Sequence, residues 1–306
     1  MEKLCVIGSL NIDVVHEAPV LPRPGETVMG TSFHTFFGGK GGNQAMALGR
    51  LGAPVCMVGA LGDGMEGPAY HAHLCQSGVD VSATAVLPGR MPGVACIGID
   101  AAGENCITVV PGTNQDVTPA YLDAHWEALA SCALFLFQQE IPQRTNAYAL
   151  KRLCDMGKTI LYDPAPAGAG EKDILAYPTY LTPNETELAT LSGRPTDSEE
   201  QIIAACQALL DQGAQAIVAK VGKHGCYLCQ KDRTLHVPGF VVDVVDTTAA
   251  GDSFNAGLAF ALAEHQPIEQ ALRFANATGA LATTGLGAQS AMPDKAQVLA
   301  LIAACR

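Results

Sequence analysis

A carboxylate beside a glycine-rich helix start is the chemically most informative feature of this sequence. Residues 245–257 read VDTTAAGDSFNAG and lead into a helix predicted over 252–265. Small residues let the backbone approach a ligand closely, and the free N–H groups of a helix start stabilise negative charge on a transferred phosphoryl group. Asp252, in the first turn, is then the candidate base that takes a proton from an attacking hydroxyl. Considered alone, such an aspartate is more often only a helix cap.

A second glycine cluster, FGGKGGNQA at residues 37–45, also precedes a predicted helix. Glycines on both sides of one lysine predict a loop whose backbone lies very close to a neighbouring group, which could be a bound ligand. The spacing differs from that of a Walker A loop, G-x-x-x-x-G-K-[ST]. A flexible turn with a helix cap explains these residues equally well.

Polar side chains follow two of the predicted strands. Asn11 and Asp13 come after the first strand, and Glu140 comes after the strand predicted over 133–137. Open α/β sheets bind ligands at the carboxyl ends of their strands, and these side chains suit sugar hydroxyls. The alternative for each is a solvated loop residue.

Two further strand ends carry groups that suit a nucleotide. Asn184 and Glu187 face the same way once a helix begins, so they could order water around Mg²⁺ and phosphates. They also fit a capping box, which is the competing interpretation. Lys220 and Lys223 lie in the loop KVGKHG, 220–225, where two cations would meet phosphates. A single GxxG of this kind is a weak signal.

The elements that position these residues follow a regular order. Apolar segments rich in Val, Ile and Leu alternate with amphipathic ones, which predicts βαβ units around a mostly parallel sheet. The predicted strands cover residues 3–8, 55–61, 133–137, 159–163, 178–182 and 215–221. The predicted helices cover residues 42–51, 66–77, 118–131, 144–156, 198–212, 252–265, 267–283 and 294–304. Two stretches, 12–37 and 93–111, break the alternation and predict a small separate β layer, a candidate lid.

Composition bounds the class of protein. A chain of 306 residues that is 48% hydrophobic and 16% charged suits one large α/β domain or two modest ones. Its formal net charge of -12 disfavours nucleic acid and anionic membrane surfaces as partners, although local donors can still hold one nucleotide. No apolar segment approaches the roughly 20 residues that span a bilayer, and no secretion signal is visible. We expect a soluble cytoplasmic protein.

The cysteines and histidines give little support for a zinc site. The 11 cysteines are scattered along the chain, which is typical of reduced thiols. Cys226 and Cys229 form the one CxxC, but in a strand they would point to opposite faces. His71 and His73 are two residues apart on a predicted helix, so they do not share a face.

Taken together, the motifs at 8–13, 37–45, 184–187 and 246–252 resemble the ribokinase family, also called PfkB-type carbohydrate kinases. The segments PAPA, 164–167, and GLGAQ, 285–289, add to a resemblance that spans nearly the whole chain. It implies one kinase domain over residues 1–306, with a three-layer α/β/α fold, a mostly parallel central sheet and a small β-sheet lid. In this family the lid commonly serves as a dimer interface, so we expect a homodimer.

The resemblance also implies a role for each matching position, with Asp252 as the base and as a sugar contact. The other residues that would hold the sugar are Asn11, Asp13, Gly39, Lys40, Gly41, Gly42, Asn43 and Glu140. The residues that would contact ATP are Asn184, Lys220, Val221, Gly222, Lys223, His224, Gly225, Gly251 and Asn276. Glu187 would help to organise Mg²⁺. The residues around an activating monovalent cation, usually K⁺, would be Asp246, Thr248, Ala282, Gly285, Gly287 and Ala291.

Several positions depart from the pattern of the ribokinases within the family. Lys220 stands where Thr is usual, and Asn276 stands where many members carry His. Ala291 replaces a residue whose hydroxyl commonly helps to hold the cation, which bears on cation affinity. Gln139 and Asp163 replace the more familiar Leu and Asn beside the sugar-side strands, which bears on substrate choice.

The activity that the resemblance implies is ATP-dependent phosphorylation of a primary hydroxyl. D-ribose is the leading substrate, followed by fructose, tagatose, deoxyribose or a ketodeoxy sugar acid, and then by a nucleoside. A non-catalytic sugar sensor is a different class, which loss of the base or of the helix-start glycines would favour; both are present. A dinucleotide-dependent oxidoreductase needs G-x-G-x-x-G after the first strand, and GSLN at 8–11 does not supply it.

Overall fold

The computed structural model describes residues 1–168 and 174–305, so residues 169–173 and 306 of the predicted domain lie outside the described part. In chain order the strands are β1 (Leu4–Ile7), β2 (Asn11–Glu17), β3 (Ser32–Gly38), β4 (Val55–Gly62), β5 (Asp80–Leu87), β6 (Gly93–Ile99), β7 (Asn105–Val110), β8 (Leu134–Phe137), β9 (Thr159–Tyr162), β10 (Tyr180–Leu181), β11 (Ile217–Lys220), β12 (Cys226–Gln230) and β13 (Arg233–Val237). The α-helices are α1 (Lys40–Arg50), α2 (Gly67–Gln76), α3 (Pro119–Ala124), α4 (Trp126–Ala130), α5 (Gln143–Asp155), α6 (Glu185–Ser192), α7 (Glu199–Asp211), α8 (Ala250–Ala263), α9 (Ile268–Ala282) and α10 (Lys295–Ala304).

Nine strands form a large sheet in the order β13-β12-β11-β10-β9-β8-β1-β4-β5. The strands from β11 to β5 in this order run parallel, while β12 and β13 add an antiparallel edge. The central strands β1, β4 and β8 are buried along their whole length. Strands covered on both faces need continuous apolar sequences, which is why these segments could be predicted.

Helices cover both faces of this sheet and make the three layers. Leu4 and Val6 of β1 point to the face that packs against α1, α2, α8, α9 and α10. Cys5 and Ile7 point to the opposite face, which packs against α3 to α7. The predicted three-layer α/β/α arrangement with a mostly parallel sheet is therefore confirmed.

A second sheet of four strands, in the order β3-β2-β6-β7, forms the lid. Strands β2 and β3 are antiparallel, β2 and β6 are parallel, and β6 and β7 are antiparallel. Its strands come from the two stretches that broke the βα alternation, so the prediction of a separate β layer is confirmed. Only residues 8–10 separate β1 of the large sheet from β2 of the lid.

The structure differs from the sequence-based prediction in a few elements. The helix predicted over 118–131 is two short helices, because the backbone at His125 leaves the helical region. Strand β5 was not predicted, since its Ser, Thr and Ala residues lack the apolar pattern of a buried strand. Cys226 and Cys229 of β12 pack into the two different cores, as their spacing predicts for a strand. Within residues 1–168 and 174–305, none of the helices has both the length and the apolar character to cross a membrane.

Candidate active site

Asp252 lies in the first turn of α8 and is only 5% exposed. Its carboxylate does not face the apolar core. One oxygen accepts a hydrogen bond from Asn43 Nδ2 at 3.0 Å, and the other accepts one from Gln44 Nε2 at 3.1 Å. Both donors come from the first five residues of α1, so the two glycine-rich helix starts meet at this carboxylate.

The start of α8 has an unusual backbone that frees N–H groups for a ligand. Ala249, the residue before the helix, has a left-handed φ of 58°, which costs a non-glycine residue about 1 kcal/mol or more. Ala250 N–H donates to the Thr247 carbonyl at 3.2 Å, and Ser253 N–H donates to the Ala249 carbonyl at 2.9 Å. The N–H groups of Gly251 and Asp252 lie between them, in the turn whose donors find no acceptor within a helix.

The start of α1 is packed tightly against the turn after β1. Gly39 has a φ of 82°. A Cβ placed on Gly41 would lie 2.6 Å from the Ser9 nitrogen, so only glycine fits there. Glu140 accepts hydrogen bonds from the Lys40 N–H at 3.0 Å and from the Ser9 hydroxyl. The glycine cluster therefore lies tight against the protein's own backbone, and Glu140 holds the helix start in place.

The sugar-side residues predicted on the first strand stand at the beginning of the lid strand β2. Asn11 is buried, and its Oδ1 accepts a hydrogen bond from Asn114 Nδ2 at 2.7 Å. The Asp13 carboxylate packs directly on Gly38, so any side chain at position 38 would collide with it. The structure thus brings Asn11, Asp13, Glu140 and the α1 start to one region around Asp252.

This region is strongly acidic, and the pKa values respond to that. Burial raises the pKa of Asp13 to about 7, with further contributions from Glu140 and Asp252. Burial also raises the pKa of Asp252; Lys40 opposes the rise and Asp163 adds to it. For Lys40, burial opposes the charged form, but the carboxylates of Asp252 and Asp163 outweigh it and raise the pKa. Lys40 therefore offsets part of the negative charge of these carboxylates.

A cavity of about 660 Å³ lies on the other side of the α8 start. It contains most of the predicted ATP contacts, which are Lys220, Gly222, Lys223, His224, Gly225, Gly251 and Asn276. Most of the remaining lining is apolar, including Phe240, Val241 and Val244. Asn276 donates to the carbonyls of Val237 at 3.0 Å and Pro238 at 3.2 Å, which fixes the orientation of its amide. An apolar cavity that ends at free helix N–H groups suits a nucleotide, with its aromatic base at the apolar end and its phosphates at the N–H groups.

Two predicted ATP contacts do not line this cavity. The Val221 side chain is buried in the core that packs against α3 to α7. Asn184 caps α6, and its side chain and backbone exchange hydrogen bonds with Glu187 in a complete capping box. Asn184 is nonetheless close to the cavity, because its backbone pairs with that of Lys220. The capping interpretation of this pair is therefore confirmed, and the Glu187 carboxylate interacts electrostatically with Lys220, which lines the cavity.

The environment of Glu187 bears on its predicted role toward Mg²⁺. Burial raises the pKa of Glu187 and Asp163 adds to the rise, while Lys220 and Lys40 lower it. The charges of Asp163 and Lys40 therefore affect the pKa values of both Glu187 and Asp252. Carboxylate oxygen is a ligand type that suits Mg²⁺, directly or through water, so the residue fits the predicted role.

Five of the six residues predicted around a monovalent cation have contacts within one of two small groups, Asp246 with Thr248 and Gly287, and Gly285 with Ala291. Asp246 accepts hydrogen bonds from the Gly287 N–H at 3.0 Å and from the Thr248 N–H at 2.9 Å, which joins two loops. A Cβ on Gly285 would lie 3.0 Å from the Cβ of Ala291, so these positions adjoin. Burial disfavours ionisation of Asp246, but the hydrogen bonds from Thr248 and Gly287 outweigh it and hold its pKa below the ordinary value. A carboxylate oxygen is a ligand type that suits a hard cation, so Asp246 fits the predicted role.

Comparison with known proteins decides the family. The model of the family described as pfkB family carbohydrate kinase matches residues 1–295. This chain belongs to the pfkB family.

Relatives resemble this chain over nearly its whole length. Ribokinase of Bacillus subtilis is 40% identical over 302 residues, covering 99% of this chain and 100% of the relative. Deoxyribokinase of Salmonella typhi is 33% identical over 294 residues, covering 95% of each. The solved structure of Arabidopsis thaliana ribokinase complexed with ribose and ATP superposes with a TM-score of 0.91 at 32% identity, covering 98% of each chain. Thermotoga maritima ribokinase gives a TM-score of 0.90 at 33% identity, covering 99% of this chain and 100% of that one.

Four residues of this pfkB-family site were assigned no role from the sequence. Gln44 contacts Asp252, and Asn114 contacts Asn11. Gln289 donates to Asn43 Oδ1 at 3.2 Å and to the Tyr70 hydroxyl at 2.8 Å. Gln44 and Gln289 belong to segments that carried the family resemblance, and that was the available signal. Asn114 and Tyr70 lie outside those segments, and only the fold brings them to the site.

Proposed function

We propose that this protein is a ribokinase that transfers the terminal phosphoryl group of ATP to the primary hydroxyl of D-ribose, giving D-ribose 5-phosphate. The observation that carries the proposal is the position of Asp252. Its carboxylate faces the polar start of α1, while the N–H groups of the same turn border the cavity of about 660 Å³. A base and an anion-binding turn therefore adjoin, as in-line phosphoryl transfer requires.

The residues on the sugar side support a polyhydroxylated substrate. Asn11, Asp13 and Asn43 supply side-chain donors and acceptors, and Lys40 supplies a cation within the same region. Relatives named ribokinase favour D-ribose, and the structure with a TM-score of 0.91 is a ribokinase in complex with ribose and ATP. Deoxyribose is the second candidate, because deoxyribokinases are 33% identical over 95% of this chain.

In the proposed reaction the hydroxyl oxygen attacks the terminal phosphorus of ATP as Asp252 takes the hydroxyl proton. The N–H groups of Gly251 and Asp252 hold the equatorial oxygens of the transferred group. Glu187 would help to hold Mg²⁺, which neutralises phosphate charge when bound. K⁺ would be held beside the anion-binding turn at the start of α8 by Asp246, Thr248, Ala282, Gly285, Gly287 and Ala291.

The lid supports a homodimer as the working form. Strand β7 is exposed along its whole length, and Ile107 and Phe33 of the lid are 53% and 65% exposed. Apolar side chains on the strands of a small open sheet are usually covered by a partner.

We also propose that the enzyme works in the cytoplasm, because all 11 cysteines are free thiols, which suits a reducing compartment.

A coupled assay of ADP release tests the function. Purified protein would be screened with pentoses, hexoses, deoxyribose, a ketodeoxy sugar acid and nucleosides, each in K⁺ and in Na⁺ with Mg²⁺. We expect the highest kcat/KM with D-ribose and ATP. Sugar binding without ADP release would identify a sensor, and a higher kcat/KM for deoxyribose would identify the second candidate.

A further inference from the structure

A buried ion pair lies between the sugar side and the nucleotide cavity. Lys220 Nζ is 3.0 Å from Asp163 Oδ1, and the two side chains are only 12% and 3% exposed. Lys220 ends β11 and Asp163 follows β9, so the pair reaches across the end of β10. Removing two charges from water costs several kcal/mol per ion, which the attraction within the pair often only offsets. Stability alone is therefore a weak reason for this pair.

The Lys220 ammonium also reaches the start of α8. It lies 3.5 Å from the position that a Cβ on Gly251 would occupy, and Lys220 and Gly251 both line the nucleotide cavity. A cation at this place adjoins the N–H groups that would receive the transferred phosphoryl group. Lysine is a mobile point charge with three donors, so it can bind a phosphate oxygen while it keeps its contact with a carboxylate.

Asp163 connects this lysine to the candidate base through a shared amide. Gln44 Nε2 is 3.1 Å from Asp252 Oδ1 and 3.5 Å from Asp163 Oδ2. The orientation of that amide is fixed, because Gln138 Nε2 donates to Gln44 Oε1 at 2.7 Å. Lys220, Asp163, Gln44 and Asp252 thus form one chain of polar contacts from the nucleotide cavity to the base.

We propose that Lys220 binds the transferred phosphoryl group and that Asp163 is a positioning residue that holds the Lys220 ammonium and, through Gln44, orients Asp252. This inference rests on the proposed kinase function and deepens it. The hydroxyl oxygen forms a bond to the terminal phosphorus, and its proton passes to Asp252. The bond from that phosphorus to the bridging oxygen breaks, and its electron pair leaves with ADP. Lys220 would therefore contribute more to the affinity for ATP than to the affinity for ADP, because ADP lacks the terminal phosphate that the lysine binds.

Lys220 and Asp163 depend on each other. Either charge alone would be buried without a partner, a change that is strongly destabilising. The two side chains therefore act as a unit, with the positive charge at the nucleotide cavity.

Nucleotide binding in the absence of sugar tests the role of Lys220 without any turnover. Calorimetric titrations of the full chain with a non-hydrolysable ATP analogue and with ADP, both with Mg²⁺, would be compared in wild type and Lys220→Met. A charge-assisted hydrogen bond to the terminal phosphate predicts that the variant loses roughly 10- to 100-fold in affinity for the analogue and much less for ADP. Equal losses for both nucleotides would overturn the role of Lys220.

The double variant Lys220→Thr with Asp163→Asn keeps the test valid if the single variant fails to fold, because it leaves no unpaired charge. We expect it to bind ADP as the wild type does and to show the same selective loss for the ATP analogue. Full retention of analogue affinity in the double variant would sink the assignment.

The role of Asp163 has its own readout in the pH profile. The charged groups around Asp252 are Lys40 from α1, Asp13 from β2, and Asp163. Because Asp163 raises the pKa of Asp252, Asp163→Asn should move the acidic limb of kcat, which reports the base in the substrate complex, to lower pH and reduce the maximal kcat. A purely structural pair would lower the melting temperature and leave that limb in place. Failure of the kinase function itself would be distinguishable, since the wild type would then release no ADP with any sugar.

Discussion

Tyr70 donates a hydrogen bond from its hydroxyl to the carbonyl of Gly38, the last residue of lid strand β3, at 2.8 Å. The same hydroxyl accepts a hydrogen bond from Gln289 Nε2 at 2.8 Å. One fully buried phenol therefore joins α2, the root of the lid and the loop beside the proposed cation site.

Replacing Tyr70 with Phe removes that junction: the buried Gly38 carbonyl loses the hydrogen bond from the phenol, and the Gln289 amide loses one of its two acceptors. We expect the free energy of unfolding to fall by about 1–3 kcal/mol and KM for the sugar to rise more than KM for ATP. Chemical denaturation and steady-state kinetics measure both effects. Tyr148→Phe is the matched control, because Tyr148 lies at the surface and contacts Asp123 and Arg152. A Tyr70→Phe enzyme with wild-type stability would contradict the role of this hydroxyl.

Asp252→Asn tests the base directly. The amide keeps the size of the side chain but cannot take the hydroxyl proton, so we expect kcat to fall by roughly 10²- to 10⁴-fold. Sugar binding, measured by calorimetry, should stay within about tenfold of wild type. Asp155→Asn, at an exposed position on α5, is the control and should keep full activity. Near-normal turnover in Asp252→Asn would refute the assigned mechanism.

The raised pKa of Asp13 predicts a pH dependence of sugar recognition. With a pKa of about 7, Asp13 is protonated below that pH and accepts hydrogen bonds from sugar hydroxyls best above it. The kcat/KM for the sugar should therefore rise with pH through about 7, and Asp13→Asn should remove this step. A profile that keeps the step in Asp13→Asn would assign it to another group.

The same group affects stability with a defined sign. Because its folded-state pKa of about 7 exceeds the ordinary value of 3.8, the folded chain binds the Asp13 proton more tightly than the unfolded chain does. The stability that this proton contributes is complete below about pH 3.8 and is lost as pH rises toward 7. In Asp13→Asn, melting temperatures between these pH values should fall less steeply than in wild type.

Position 291 should control the affinity for a monovalent cation. Ala291 adjoins Gly285 and offers no side-chain oxygen, so we expect Ala291→Ser to lower the K⁺ concentration needed for half-maximal activity. Asp246→Asn should raise it, because the carboxylate charge is lost from the loop. Titration with KCl at constant ionic strength, with choline chloride as the balancing salt, gives both values. If the dependence of activity on K⁺ concentration were identical in wild type and both variants, the proposed cation site would be wrong.

Ile107 of the lid strand β7 should be required for dimer formation. A dimer interface on this strand would bury the carboxylate of Ile107→Glu away from water, which is unfavourable. We therefore expect this variant to be monomeric in sedimentation velocity. Leu299→Glu changes an exposed apolar residue of α10, away from the lid, and should leave the sedimentation coefficient unchanged. Dimers that persist in Ile107→Glu would argue for a different interface.

Much of this architecture could be predicted from the sequence, because local signals determine it. The apolar segments at 4–7 and 134–137 are buried strands, and the glycine-rich segments before α1 and α8 are helix starts. The contact between Lys220 and Asp163 could not be predicted, since 57 positions separate them and no local pattern pairs a loop lysine with an aspartate at the end of another strand. The tight packing of Gly41 on Ser9 was equally inaccessible, because a glycine next to backbone and a glycine next to ligand look alike in sequence.

The direct passage from β1 into β2 gives the enzyme a particular form of adaptability. Asn11 and Asp13 belong to a strand of the small sheet, whereas Asp252 belongs to a helix that packs on the large sheet. A substitution inside the small sheet can therefore shift the hydroxyl-binding groups relative to the reacting centre without touching either one. Selection for a different sugar can act on residues that never meet the substrate.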